Sequence, residues 1–217
     1  MAPRARGLTG VLLVGGASTR LGVPKALARL RGRTLAEIGW EVLGEVCDER
    51  LAVGKRRDGL ELPFPVLDDG SQVRAPLAGI VAGLRAAMHD LCVVLPVDCP
   101  LVTADVLRSL AFDCADAAVP AFDAPLPGAY RRSALPVLER RLRARELRLR
   151  DALRELDVRE VHVDPELLVN VNTPYELEAL QRPAMEASPR GETTRSRSAP
   201  VPTSETSTSS ARSTNST

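Results

Sequence analysis

The sequence predicts an α/β fold: a three-layer, doubly wound, mainly parallel sheet, built as a single domain with a disordered C-terminal tail. Three observations lead there. Short apolar runs alternate with segments of helical periodicity from about Leu8 to Gln181. One run, Leu91 to Val97, is apolar throughout, as expected of a strand buried on both faces. Several runs end in clusters of Gly, Asp or Pro, residues that turn a chain at strand ends.

The elements follow in order. Gly10 to Val14 is a continuous apolar strand. Thr34 can cap a helix with Glu37 at the capping-box position, and Leu35, Ile38, Val42 and Val46 then share a face. Arg50 to Gly54 and Pro65 to Leu67 are the second and third strands, and Pro76 suits the first turn of a helix carrying Leu77, Ile80, Val81 and Leu84 inward. After the central strand come a helix at Ala104 to Ala111, a strand at Ala117 to Phe122 and a return segment at Leu126 to Tyr130. Amphipathic helices are expected at Ser133 to Leu142 and Arg150 to Leu156, then an alternating edge strand at Val158 to Val163 and a final helix to about Gln181.

The region from Pro183 to Thr217 has no Leu, Ile or aromatic residue and cannot bury enough apolar surface to offset its ordering entropy. The expected division is therefore a folded domain over 8–181 and a Ser/Thr/Pro/Arg-rich tail over 182–217.

Composition excludes several classes. With 44% hydrophobic and 26% charged residues the chain reads as an ordinary soluble protein, and its net charge of +1 gives no reason to expect nucleic acid or a membrane as partner. No window approaches the roughly 18 apolar residues that a membrane span requires. Arg4 and Arg6 precede an apolar run, but that run is short and leads into Gly15 and Gly16 without a cleavage pattern, so a cytoplasmic location is expected. Cys47, Cys92, Cys99 and Cys114 are widely spaced, and His89 and His162 are isolated, which favours buried thiols over a zinc site.

Ligands of open α/β sheets bind beyond the carboxyl ends of the strands. Four unusual segments follow strand ends here: Gly15 and Gly16; Gly54 to Arg57; Asp68 to Gly70; and Pro96 to Pro100. Consecutive glycines let backbone N–H groups approach oxygen acceptors, and Arg20 and Lys25 add a planar fork and a point charge within the same loop. The loop lacks both the Gly-Lys-Ser/Thr ending of a P-loop and the dinucleotide glycine spacing. Asp98, between two prolines, needs a partner: a Mg²⁺ ion is one, and capping of the following turn is the alternative. Asp69 or its neighbour Asp68 can be an acceptor for base or sugar, or serve the turn.

These residues in this order resemble the molybdenum cofactor guanylyltransferase family. The opening signature Leu-x-Gly-Gly-x-Ser-x-Arg-x-Gly-x-x-Lys is matched from Leu13 to Lys25. The likeness continues through Pro76 to Ile80, Pro96 to Pro100, Leu126 to Tyr130 and Asn170 to Pro174, covering essentially the whole folded region. The opening and the Pro-x-Asp-x-Pro element are shared by many nucleotidyltransferases; the last two segments are more particular to the molybdopterin-handling branch. The resemblance implies a fold like that of the nucleotide-diphospho-sugar transferases. It further implies nucleotide contacts from Leu13, Val14, Gly15, Gly16, Lys25, Asp69 and Asp98, with Mg²⁺ on Asp98. Arg20, Lys25 and Asp98 would act in catalysis, and Asn170 and Asn172 would meet the pterin. The implied substrates are GTP and molybdopterin, with transient contacts to other enzymes of molybdenum cofactor biosynthesis or to acceptor enzymes. Two departures stand out: Gly54 where the family commonly has Asn, and Pro24 before Lys25 where it usually has an acidic residue. They leave room for another acceptor such as a sugar phosphate, for CTP as donor, or for a non-catalytic nucleotide-binding regulator.

Overall fold

A computed structural model describes residues 7–15, 21–112, 114–121 and 124–181. The tail expected over 182–217 lies outside the described residues, as do Gly16 and Arg20.

The chain opens with β1 (Leu8–Leu13), then a single 3₁₀ turn at Lys25–Leu27 and a small ribbon, β2 (Arg29–Leu30) with β3 (Arg33–Thr34). Helix α1 (Leu35–Gly44) begins at a complete capping box: Thr34 accepts from the Glu37 N–H, and the Glu37 carboxylate takes the Thr34 N–H. Next come β4 (Glu49–Gly54), β5 (Val66–Asp68) and α2 (Pro76–Ala86), with proline in its first turn as predicted. The second half comprises β6 (Leu91–Pro96), α3 (Ala104–Ala111), β7 (Ala117–Pro120), β8 (Gly128–Arg131), α4 (Leu135–Arg143), α5 (Leu149–Leu153), β9 (Val158–Val161) and α6 (Pro174–Gln181).

Seven strands form one sheet in the order β5-β4-β1-β6-β8-β7-β9. The run β5-β4-β1-β6 is wholly parallel, β8 runs antiparallel to both its neighbours, and β9 pairs parallel with β7 at the edge. The predicted doubly wound, mainly parallel sheet is therefore present. The ribbon of β2 and β3 is an addition, since two-residue strands leave no periodicity to read.

Alternation along the strands divides the core in two. Leu12, Val14, Val93 and Leu95 face one side, where they meet Leu35, Ile38, Val106 and Leu110 of α1 and α3. Val11, Leu13, Cys92 and Val94 face the other, against Leu77, Ile80 and Leu84 of α2 and Leu138 of α4. Each large aliphatic side chain buried this way contributes roughly 1.5–3 kcal/mol. Two glycines bring helices hard against β1 from opposite faces. A Cβ at Gly39 would stand 2.7 Å from Leu12 Cδ1, and one at Gly79 2.7 Å from Leu13 Cδ2. Because α2 sits so close, its N-terminus forms a wall of the space beyond the strand ends.

Candidate active site

Since β5, β4, β1 and β6 are parallel neighbours, their carboxyl ends share one rim. The chain leaves β1 toward β4 on one side and later returns to β6 on the other, which opens a crevice at β1. A cavity of about 350 Å³ lies there, within the range of small-ligand sites. All four segments singled out by sequence contribute to its wall: Gly15, Gly54 with Lys55, Asp69, and Pro96 to Asp98.

Most of the predicted site residues gather at this cavity. Leu13, Gly15, Lys25, Asp69 and Asp98 line it. Val14 does not; it is buried in the core, and its N–H donates to Val53 O at 2.9 Å, so it fixes the path of the loop rather than lining the space.

Lys25 enters the cavity from the 3₁₀ turn that Pro24 initiates. Its Nζ donates to Asp98 Oδ2 at 2.7 Å and to Asn172 Oδ1 at 2.6 Å. The partner expected for Asp98 from sequence was a metal ion or a turn amide. Here it is a lysine, and among the described residues no backbone N–H donates to the Asp98 carboxylate. The pair retains some solvent contact, with side chains 16% and 24% exposed, so a ligand can reach both groups.

The segment from Asn170 to Thr173 is stitched to the Asp98 turn. Val171 N–H donates to Asp98 O at 2.8 Å, and the Cys99 thiol, buried and pushed up in pKa chiefly by that burial, donates to Asn170 Oδ1 at 2.9 Å. Glu176, at the start of α6, accepts from Asn172 N–H at 2.7 Å and Thr173 N–H at 2.9 Å. These bonds, the one from Asn172 foremost, hold its carboxyl below the ordinary glutamate value. Asn172 thus reaches Lys25, the Asn170 side chain is held at Cys99, and neither asparagine belongs to the cavity wall itself.

At the other end of the cavity both aspartates serve the turn. Asp68 accepts from Gly70 N–H at 3.2 Å and Asp69 from Ser71 N–H at 2.8 Å. They differ in burial: Asp68 is on the surface side, while Asp69 is only 7% exposed and faces the cavity. Asp69 Oδ1 is also bonded at 2.7 Å by Lys55 Nζ, a residue whose role was not read from sequence. Its one signal was position, immediately after a strand end on the rim. Arg74 adds a further cation to the wall, held in a two-pronged pair with Asp58 at 2.5 and 3.0 Å, and its guanidinium keeps the Asp58 carboxyl below the usual range. At Gly54 a Cβ would lie 3.0 Å from Val14 Cγ2 and 3.3 Å from Val66 Cγ1, so a side chain there needs both valines to give by a few tenths of an ångström.

Fold and cavity define the class, a nucleotide-handling protein of the doubly wound type. Residues 10–185 match the MobA-like NTP transferase domain, and the chain belongs to that family of nucleotidyltransferases. It is 32% identical over 186 residues to a probable molybdenum cofactor guanylyltransferase of Carboxydothermus hydrogenoformans, covering 80% of this chain and 94% of that relative. A probable molybdenum cofactor guanylyltransferase of Bacillus subtilis is likewise 32% identical, over 79% of this chain and 93% of its own length. Among solved structures, molybdopterin-guanine dinucleotide biosynthesis protein A from Archaeoglobus fulgidus superposes with a TM-score of 0.68 at 28% identity, covering 80% of this chain and 96% of that one. A 2-C-methyl-D-erythritol 4-phosphate cytidylyltransferase from Thermus thermophilus shares the fold, with a TM-score of 0.61 at 20% identity over 79% of this chain and 96% of that one.

Proposed function

We propose that this protein transfers GMP from GTP to the terminal phosphate of molybdenum-bearing molybdopterin and releases pyrophosphate, forming the guanine dinucleotide form of the cofactor. The observation that carries this reading is Lys25, whose ammonium joins the rim carboxylate Asp98 to Asn172 of the Asn-Val-Asn-Thr-Pro segment. Donor and acceptor sites then meet at one cation.

In the reaction an oxygen of the acceptor phosphate forms a bond to the α-phosphorus of GTP, and the bond from that phosphorus to the bridging oxygen of pyrophosphate breaks. The nucleophile is an anion at neutral pH, so no side chain need remove a proton. The protein's part is orientation and charge stabilisation. Lys25 turns from Asp98 to the triphosphate oxygens, Gly15 allows close backbone approach, and Asn172 is freed toward the acceptor. We assign roles toward the phosphates to Arg20 and Gly16, and toward the pterin to Asn170, on the match of their sequence motifs.

The donor set suits Mg²⁺. Among the described residues no group of three or more His, Cys, Asp or Glu side chains converges, which disfavours an all-protein metal cage. One part-exposed carboxylate, Asp98, fits an ion that takes one or two carboxylates and completes its shell with phosphate oxygens and water. When bound there Mg²⁺ would offset charge on the triphosphate.

We assign the protein to the cytoplasm, in keeping with four free cysteines. No helix among the described residues is long and apolar enough to cross a membrane. Transient contact with other enzymes of cofactor biosynthesis or with acceptor enzymes follows from the nature of the product. Pro24 favours a second reading, a nucleotidyltransferase for a sugar phosphate or another cofactor. Incubation with each NTP, Mg²⁺ and candidate acceptors separates the readings: pyrophosphate released only with GTP and molybdopterin supports the first. Release with another acceptor or with CTP supports the second, and nucleotide binding without release under any condition supports a regulator.

A further inference from the structure

We propose that Lys55 is a positioning residue for base recognition. It fastens the loop from Asp69 to Val73 and occupies one oxygen of Asp69, leaving the other to accept from an N–H-bearing base edge such as the amino group of guanine. This rests on the reading that a nucleoside triphosphate occupies the cavity.

Lys55 follows β4 directly, lines the cavity and is only 5% exposed. Its Nζ donates to Asp69 Oδ1 at 2.7 Å, Ser71 O at 2.6 Å and Val73 O at 2.7 Å. An ammonium has three N–H groups, so none is left for a ligand. The complete set of acceptors also explains how a lysine is accommodated at this depth.

The clamp decides what Asp69 can do. Its Oδ1 is shared between Lys55 and Ser71 N–H, and its backbone N–H donates to Gly54 O at 2.9 Å. Oδ2 has no partner among the described residues, while the side chain faces the cavity. The result is a fixed acceptor whose charge is balanced by an adjacent cation. Gly54 cannot share the task, because it has no side chain to offer the base. A carboxylate oxygen complements the N1–H and 2-amino donors of guanine, and inosine lacks the second of these.

Titration calorimetry on the full chain with Mg²⁺ tests this, using GTP, ITP and inorganic tripolyphosphate on wild type, Lys55→Met, Lys55→Arg and Asp69→Asn. Wild type should bind GTP roughly tenfold more tightly than ITP, the worth of one hydrogen bond to a charged acceptor. Lys55→Met and Asp69→Asn should bring that ratio close to one while tripolyphosphate affinity holds within about twofold, because its contacts lie at the other end of the cavity. Lys55→Arg should retain part of the preference, since a planar fork cannot reach three converging acceptors equally. Where Lys55→Met does not fold, Lys55→Arg and Asp69→Asn carry the same comparison. An unchanged ratio, an equal loss for all three ligands, or a wild type indifferent to the amino group overturns the role of Lys55. A wild type that binds none of the three overturns the nucleotide reading of the cavity, and the role of Lys55 with it.

Discussion

Lys25 and Asn172 are 147 positions apart in sequence, yet the lysine Nζ donates to the asparagine Oδ1 at 2.6 Å. The same ammonium lies 2.7 Å from Asp98 Oδ2. A single cation therefore ties together the turn after the glycine loop, the end of the central strand and the segment that leads into α6. Under the proposed function, entry of a triphosphate would compete for that cation and release both partners at once.

Removing either charge at this junction should stop turnover without unfolding the chain. Lys25→Ala and Asp98→Ala are expected to lower kcat by about 10²–10³-fold or more, the scale of losing one preorganised charge in a transition state. Pyrophosphate release checks the first part and far-UV circular dichroism the second. Near-normal release from either folded variant would contradict the proposed chemistry.

Asn172→Ala should separate the two substrates. The asparagine meets Lys25 through its side-chain oxygen, so its loss leaves the Lys25–Asp98 pair in place. The acceptor KM is expected to rise roughly tenfold, as for a hydrogen bond lost at a binding site, with the GTP KM little changed. Steady-state kinetics with each substrate varied in turn would show it. A rise confined to the GTP KM would place Asn172 with the nucleotide instead.

Glu176 makes the same segment sensitive to acid. Its carboxyl is held below the ordinary value of 4.5, first by the Asn172 N–H. A group whose pKa is lowered by folding stabilises the fold above its unfolded value, and that stabilisation is lost as pH falls through the lowered one. Wild type should therefore lose part of the anchoring of α6 as pH drops below 4.5, and Glu176→Gln should show a shallower loss over that window. Thermal melts of both proteins across the acid range measure the difference; parallel curves would remove Glu176 from the explanation.

The cysteines should be slow to react in the native state. Burial pushes the thiols of Cys47 and Cys92 up to about 12 and that of Cys114 up to about 11, and it raises Cys99 as well. The thiolate is the reactive form, so iodoacetamide at neutral pH should label the folded protein slowly and all four sites in guanidinium. Mass spectrometry counts the adducts. Rapid native labelling of Cys99 would mean that its bond to Asn170 does not persist in solution.

Much of the fold was legible because local chemistry and global pattern agree. Thr34 with Glu37, Pro76 and the apolar run through Leu95 each marked an element that the structure contains. The rim was legible too, since parallel strands place their carboxyl ends together whatever their exact bounds. Boundaries were less so. The helix expected from Ser133 starts at Leu135, after a 3₁₀ turn at Arg132–Ala134, and the helix expected to reach Leu156 ends at Leu153. Partnerships were the least legible. Lys55 stands in sequence only as one residue of the rim segment Gly54 to Arg57; only the fold brings Asp69 and two backbone carbonyls around it. Asp98 likewise signals a need for a positive partner, but nothing local says that Lys25 supplies it.

The most direct test incubates the purified protein with GTP or CTP, Mg²⁺ and molybdenum-bearing molybdopterin, and follows pyrophosphate together with the pterin product. Guanylyl transfer requires pyrophosphate with GTP, little with CTP, and a product heavier by one GMP moiety. Equal or greater release with CTP, or nucleotide bound with no pyrophosphate formed, would contradict it.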